Sequence, residues 1–103
     1  MIEHCVWIKF RSDVLVAERC AVFDRLAQLV GQIPGLLALR YGSNARYEAL
    51  DQGFSEGFIA VFENAEALAR YRGHPEHIAA GEALVSLADG GLEGLLVFDL
   101  ETQ

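Results

Sequence analysis

The chain has 103 residues, a common size for one domain over residues 1-103, and its 52% hydrophobic content and mean hydropathy of +0.23 exceed what a single small core consumes. Against 15 acidic residues stand 8 basic ones, a net charge of -7 with Lys9 the only lysine, so no basic cluster is present to grip the phosphates of nucleic acid or an anionic membrane. No stretch approaches the roughly 20 apolar residues of a membrane span, and the opening, with Glu3 and His4, lacks the basic-then-apolar order of a signal peptide; the expected location is the cytoplasm.

Residues 2–10, with β-branched and aromatic residues in alternation, predict a first strand. Its period of two places His4 with Val6, Ile8 and Phe10, a row expected to lie under helices, while Cys5 and Trp7 point the other way. Ser12 or Asp13 can cap a long amphipathic helix in which Val22, Leu26, Leu29 and Ile33 share a face and Glu18, Arg25, Gln28 and Gln32 take another. Pro34-Gly35 ends it.

A second strand is predicted over 36–41, followed by a polar surface loop from Asn44 to Gly53 and a third strand over 57–62. Asn64 suits the cap of a short helix carrying Leu68 and Tyr71, which Gly73 breaks. Pro75 is placed to open another helix reaching about Ala88, and Asp89-Gly90-Gly91 turns the chain into a last strand over 95–100. The order β-α-β-β-α-α-β is that of an α+β, ferredoxin-like protomer: a four-stranded antiparallel sheet with its helices on one face.

A sheet with one wet face alternates polar and apolar residues. Here Phe58 to Phe62 and Leu95 to Phe98 are apolar on both faces, and Trp7 adds to the surplus. With no further helix to cover the second face, the expected cover is another copy of the same sheet, in a homodimer packed sheet to sheet. Cys5 and Cys20 are far apart without ligand spacing and are expected to be buried as small hydrophobes.

Within the helix from Pro75, His77, Gly81, Leu84 and Ala88 fall on one stripe. If that stripe faces the sheet, His77 looks toward His4 across a space walled by Val6, Ile8, Val22, Phe23, Leu26 and Phe58, with room beside Gly81 and a phenol from Tyr71. Two imidazoles and a hydroxyl in a mostly aliphatic cavity have the composition of a site for a small hydrophobic or aromatic ligand. An imidazole exchanges protons near neutral pH, and a phenol can hold an oxygen on which negative charge develops, which suits enolisation or aldol chemistry. The ordinary structural alternative is a helix-start His77 and a satisfied core His4. His74 and His77 form an HxxH, but Pro75 starts the helix between them and further ligands are wanting, so no metal is expected and His74 reads as a turn residue. No phosphate-binding glycine motif and no GxSxG is present.

The opening IEHCVWIKF, the IPG after the first helix, YGSN, the G-x-x-x-G-F-I-A-V-F-E run over 53–63, Leu68-x-x-Tyr71, HPEH and the closing VFDLE together resemble the stress-responsive A/B barrel (Dabb) domain, part of the dimeric α+β barrel superfamily. The resemblance spans the whole chain and implies a ferredoxin-like protomer, a homodimer, and chemistry that needs no cofactor. In the family's plant polyketide cyclase, an intramolecular aldol step uses the second histidine of HPxH, matched by His77, and a tyrosine matched by Tyr71; a first-strand histidine is matched by His4. This chain departs from that enzyme at Glu56, where the cyclase has another histidine, at Leu26, where it has a tyrosine, and around residues 89–93, which carry a short insertion. The function expected from the resemblance is thus a cyclase or lyase with His77 and Tyr71 as acid and base; the alternatives are a non-catalytic ligand-binding or stress-response homodimer and a cofactor-free monooxygenase.

Overall fold

A computed structural model describes residues 1–103. The strands β1 (Ile2–Ile8), β2 (Leu36–Ser43), β3 (Glu56–Phe62) and β4 (Leu95–Glu101) form one antiparallel sheet in the order β2-β3-β1-β4. The helices α1 (Val16–Ala27), α2 (Ala65–Gly73) and α3 (Pro75–Leu87) cover one face, and a 3₁₀ turn (Gly91–Gly94) leads into β4. This is the ferredoxin-like α+β plan expected from the order of apolar runs.

β1 occupies the inner position beside β4, pairing with β3 and β4 along its whole length, and its burial alternates strictly. Ile2, His4, Val6 and Ile8 turn under the helices, where Val22, Phe23 and Leu26 of α1, Ala67 and Tyr71 of α2, and Ala80 and Leu84 of α3 close the core. The paired positions Glu3, Cys5 and Trp7 share the opposite, uncovered face with Val61 and Ile59 of β3 and with Leu96, Phe98 and Leu100 of β4.

Several boundaries differ from expectation. β1 ends at Ile8, and Phe10 makes only an isolated bridge to Ala88. Neither Ser12 nor Asp13 caps α1: Asp13 accepts from Arg11 Nε at 3.0 Å, and the helix opens after Leu15, whose N–H donates to the Glu18 carboxylate at 3.0 Å. α1 also stops at Ala27, six residues before Ile33, because i→i−3 bonds from Leu29, Val30 and Gln32 wind the segment into turns; Leu29 and Ile33 stay buried nonetheless. Cys5 and Cys20 are half-buried and lie outside the core, since β1 alternation sends Cys5 to the uncovered face.

Local chemistry explains the other ends. Asn64 accepts the Ala67 N–H at 3.0 Å, and His74 is the cap of α3, its Nδ1 accepting the Glu76 N–H at 3.1 Å with Pro75 in the first turn. Gly35 has φ of +88°, and a Cβ there would lie 2.5 Å from Ala67 Cβ, so the bend between the turns and β2 admits only glycine. Gly35→Ala is expected to cost roughly 2–4 kcal/mol, from the left-handed backbone and the overlap with α2 together. Urea unfolding of the variant against the parent measures this directly.

Candidate functional site

The helical layer stops short of the edge strand β4. Val97, on the helix side of the sheet, therefore stays 55% exposed, and a cavity of about 690 Å³ opens between β4, α3 and the 3₁₀ turn. His4, Val6 and Phe58 form its floor, Leu26 its back, and Tyr71, His77, Gly81 and Leu84 its helical side. Ile8, Val22 and Phe23, expected among the walls, pack into the core instead: Phe23 stacks on Tyr41 at 4.9 Å between ring centroids and meets Phe58 edge-on, which fills the space they would have lined.

Tyr71 and His77 are brought together by the break between α2 and α3. Gly73 and the extended His74 turn the chain sharply, setting the two rings 4.0 Å apart between centroids, while the His4 ring stands 5.9 Å from Tyr71 in a near-perpendicular arrangement. The Tyr71 side chain is fully buried and its hydroxyl finds no hydrogen-bond partner in the protein. Burial raises its pKa far above the ordinary phenol value, so Tyr71 keeps its proton and is available only as a neutral donor.

His77 is anchored from behind. Its Nδ1 lies 3.3 Å from the carbonyl of Arg72, which can only accept, so the bond places the proton on Nδ1 and leaves Nε2 as the lone-pair nitrogen. Burial lowers the pKa of His77 below 6.5; the Arg72 carbonyl opposes that shift and the nearby His4 adds to it. At neutral pH the ring is thus a free base. His4, 8% exposed, has its Nδ1 2.5 Å from Asp99 Oδ1, a carboxylate carried to it by the β1–β4 register, in which the two residues are paired directly.

Asp99, Arg72, Glu82 and Leu92 line the cavity as well, and sequence reasoning did not single them out. For Asp99 the signal was partial: the closing strand VFDLE carries two acidic residues, Asp99 and Glu101, and only the strand register shows that Asp99 is the one paired with His4. No cluster of three or more His, Cys, Asp or Glu side chains gathers with metal-binding geometry. A second depression, of about 710 Å³, lies at the loop end of β2 and β3 and reaches the uncovered face at Trp7, Arg40 and Leu96.

The model of the stress-responsive A/B barrel domain matches residues 2–102. The chain belongs to that family. Olivetolic acid cyclase from Cannabis sativa is 26% identical over 98 residues, covering 95% of this chain and 93% of the cyclase. The stress-response A/B barrel domain-containing protein HS1 of Arabidopsis thaliana is 29% identical over 98 residues, 95% of this chain and 86% of that protein. Among solved structures, a dimeric ferredoxin-like protein of unknown function from Jannaschia sp. CCS1 superposes with a TM-score of 0.92 at 31% identity, over 98% of each chain. The chain is thus similar to a protein named as a cyclase and to others whose names state no reaction.

The lowered pKa of His77 has a consequence for stability. The unfolded chain takes up a proton at His77 more readily than the folded one, so this residue's contribution is complete above about pH 6.5 and declines as the pH falls through the lowered folded-state value. Two-dimensional NMR of the imidazole resonances is expected to show His77 titrating below 6.5 with its proton on Nδ1, and His77→Gln to remove this part of the acid sensitivity of unfolding.

Proposed function

We propose that this chain is a homodimeric, cofactor-independent acid–base enzyme of cyclase or lyase type, acting on a small carbonyl compound with a hydrophobic or aromatic body. One observation carries the proposal: a fully buried phenol without a protein partner stands against a neutral imidazole at the wall of an apolar cavity. A buried hydroxyl left unpaired costs about 1–3 kcal/mol, a cost that a bound polar oxygen removes. The olivetolic acid cyclase relative, whose name states a ring closure, supports the same reading.

In this mechanism His77 Nε2 takes a proton from the carbon next to a substrate carbonyl. The electron pair moves into the carbonyl oxygen, and the enolate oxygen accepts a hydrogen bond from Tyr71 Oη, a buried hydroxyl that the incoming substrate must uncover. The enolate carbon attacks a second carbonyl of the same molecule, forming the new carbon–carbon bond, and the protonated His77 returns its proton to the resulting alkoxide. Every step is a proton transfer or a carbonyl addition, so the two side chains supply all the chemistry. His4, oriented by Asp99, offers Nε2 to a second polar group of the substrate, and Val6, Leu26 and Phe58 hold the apolar body.

The apolar sheet face supports the homodimer in this proposal, as does the dimeric description of the Jannaschia protein. The other reading, a non-catalytic ligand-binding dimer, differs in one outcome. Catalysis requires that Tyr71→Phe lower turnover about 100-fold, more than it weakens ligand binding, and that His77→Gln lower turnover about 100- to 10,000-fold. With β-diketo and β-keto phenolic compounds as substrates, product formation by mass spectrometry and binding by calorimetry separate the two; saturable binding without product in the parent protein overturns the catalytic reading. Tyr71→Phe also deletes an unpaired buried hydroxyl, so its folding stability should match or slightly exceed the parent.

Gly81 provides a control for the cavity. A side chain added there meets open space, and a glycine within a helix costs about 0.5–1 kcal/mol relative to alanine. Gly81→Leu is therefore expected to fold at least as stably as the parent while obstructing the cavity, with loss of both binding and turnover.

A further inference from the structure

The uncovered sheet face is not uniformly apolar. Direct strand pairing sets Arg40, Ile59, Cys5 and Phe98 in one cross-sheet row, and Ala38, Val61, Glu3 and Leu100 in the next. Of all strand residues on this face only Arg40 and Glu3 carry charge; the row beyond, Gly42, Gly57, Trp7 and Leu96, has none. Neither of the two makes an ion pair within the protomer. Arg40 stands on the edge strand β2 and Glu3 on β1, with β3 between them. At about 4.8 Å per strand and about 6.7 Å between rows, their Cα atoms are roughly 12 Å apart.

Covering this face with a second copy, as the homodimer above requires, withdraws both charges from water. A guanidinium or carboxylate left alone under such a cover is strongly destabilising, whereas a pair with matched geometry is tolerated and fixes one arrangement of the two sheets. A two-fold interface places each patch against its own copy, so a contact made once is made twice, and a face bearing one cation and one anion is complementary to itself. We propose that Arg40 of each protomer pairs with Glu3 of the partner subunit across the sheet-to-sheet interface, and that this doubled ion pair sets the register of the dimer and selects identical chains as partners.

The proposal rests on the homodimer reading, and the experiment separates the two. Sedimentation equilibrium of the parent at low salt comes first: a monomer across the micromolar range overturns the homodimer and with it the ion pair. If the parent dimerises, Arg40→Glu and Glu3→Arg, each confirmed folded by circular dichroism, are expected to raise the dimer dissociation constant at least 10-fold, because each homodimer then brings like charges together. Mixing these two variants is expected to restore association as heterodimers, since both contacts then join opposite charges, and the variant carrying both reversals is expected to dimerise like the parent. Two outcomes overturn the ion pair while leaving the dimer standing: single reversals that dimerise as the parent does, and weakened single variants that neither recover on mixing nor recover in combination. If a single variant fails to fold, Arg40→Gln and Glu3→Gln are compared with the parent for salt dependence; a parent dimer that weakens with salt no more than these variants is equally contrary to the pairing.

Discussion

The strict two-residue alternation of β1 is the constraint on which the molecule depends. Because β1 is paired on both sides, its register with β3 and β4 cannot slip by one residue without turning its whole apolar row out of the core. That single choice sends Ile2, Val6 and Ile8 into the helical layer, brings His4 to the floor of the cavity, and commits Glu3, Cys5 and Trp7 to the opposite face. The candidate site and the candidate interface are thus the two sides of one strand.

The Tyr71–His77 pair owes its geometry to a break between helices. α2 and α3 are separated by an extended residue, His74, so the last turn of one helix and the first turn of the next meet at an angle that presses Tyr71 against His77. The carbonyl of Arg72, left over at the end of α2, becomes the group that orients His77. Burial then acts on the two side chains in a useful sense: it keeps the phenol protonated and the imidazole neutral, which is the donor and base arrangement that proton abstraction beside a carbonyl needs. The cavity remains open because helices pack over β3 and β1 and leave β4 bare.

Much of this was legible in the residues themselves. The order of elements, the inward row of β1, the helix break at Gly73 and Pro75, and the surplus of apolar residues on the second face all follow from short-range patterns of period two or 3.6. The end of α1 was not legible, because the apolar spacing of Leu26, Leu29 and Ile33 is satisfied equally by a helix and by the tight turns that are found there. Nor are the cavity walls legible in full: Ile8, Val22 and Phe23 share a face with residues that do line it, but aromatic packing among Phe23, Tyr41 and Phe58 consumes the volume in front of them.

By itself, the sequence determined the fold class, the family, and the presence of a tyrosine just ahead of a helix-start histidine, because each of these is written in short-range patterns. Only the tertiary structure decided which groups complete the site and which charges stand isolated on the second face. His4 and Asp99 are 95 residues apart in the chain and become hydrogen-bonded because two antiparallel strands pair in one register. Arg40 and Glu3 share a face for the same reason, through strands whose pairing depends on the whole core being assembled. A local pattern states which way a side chain points, but what it meets there is set by contacts distant in sequence, and these exist only once the sheet has closed.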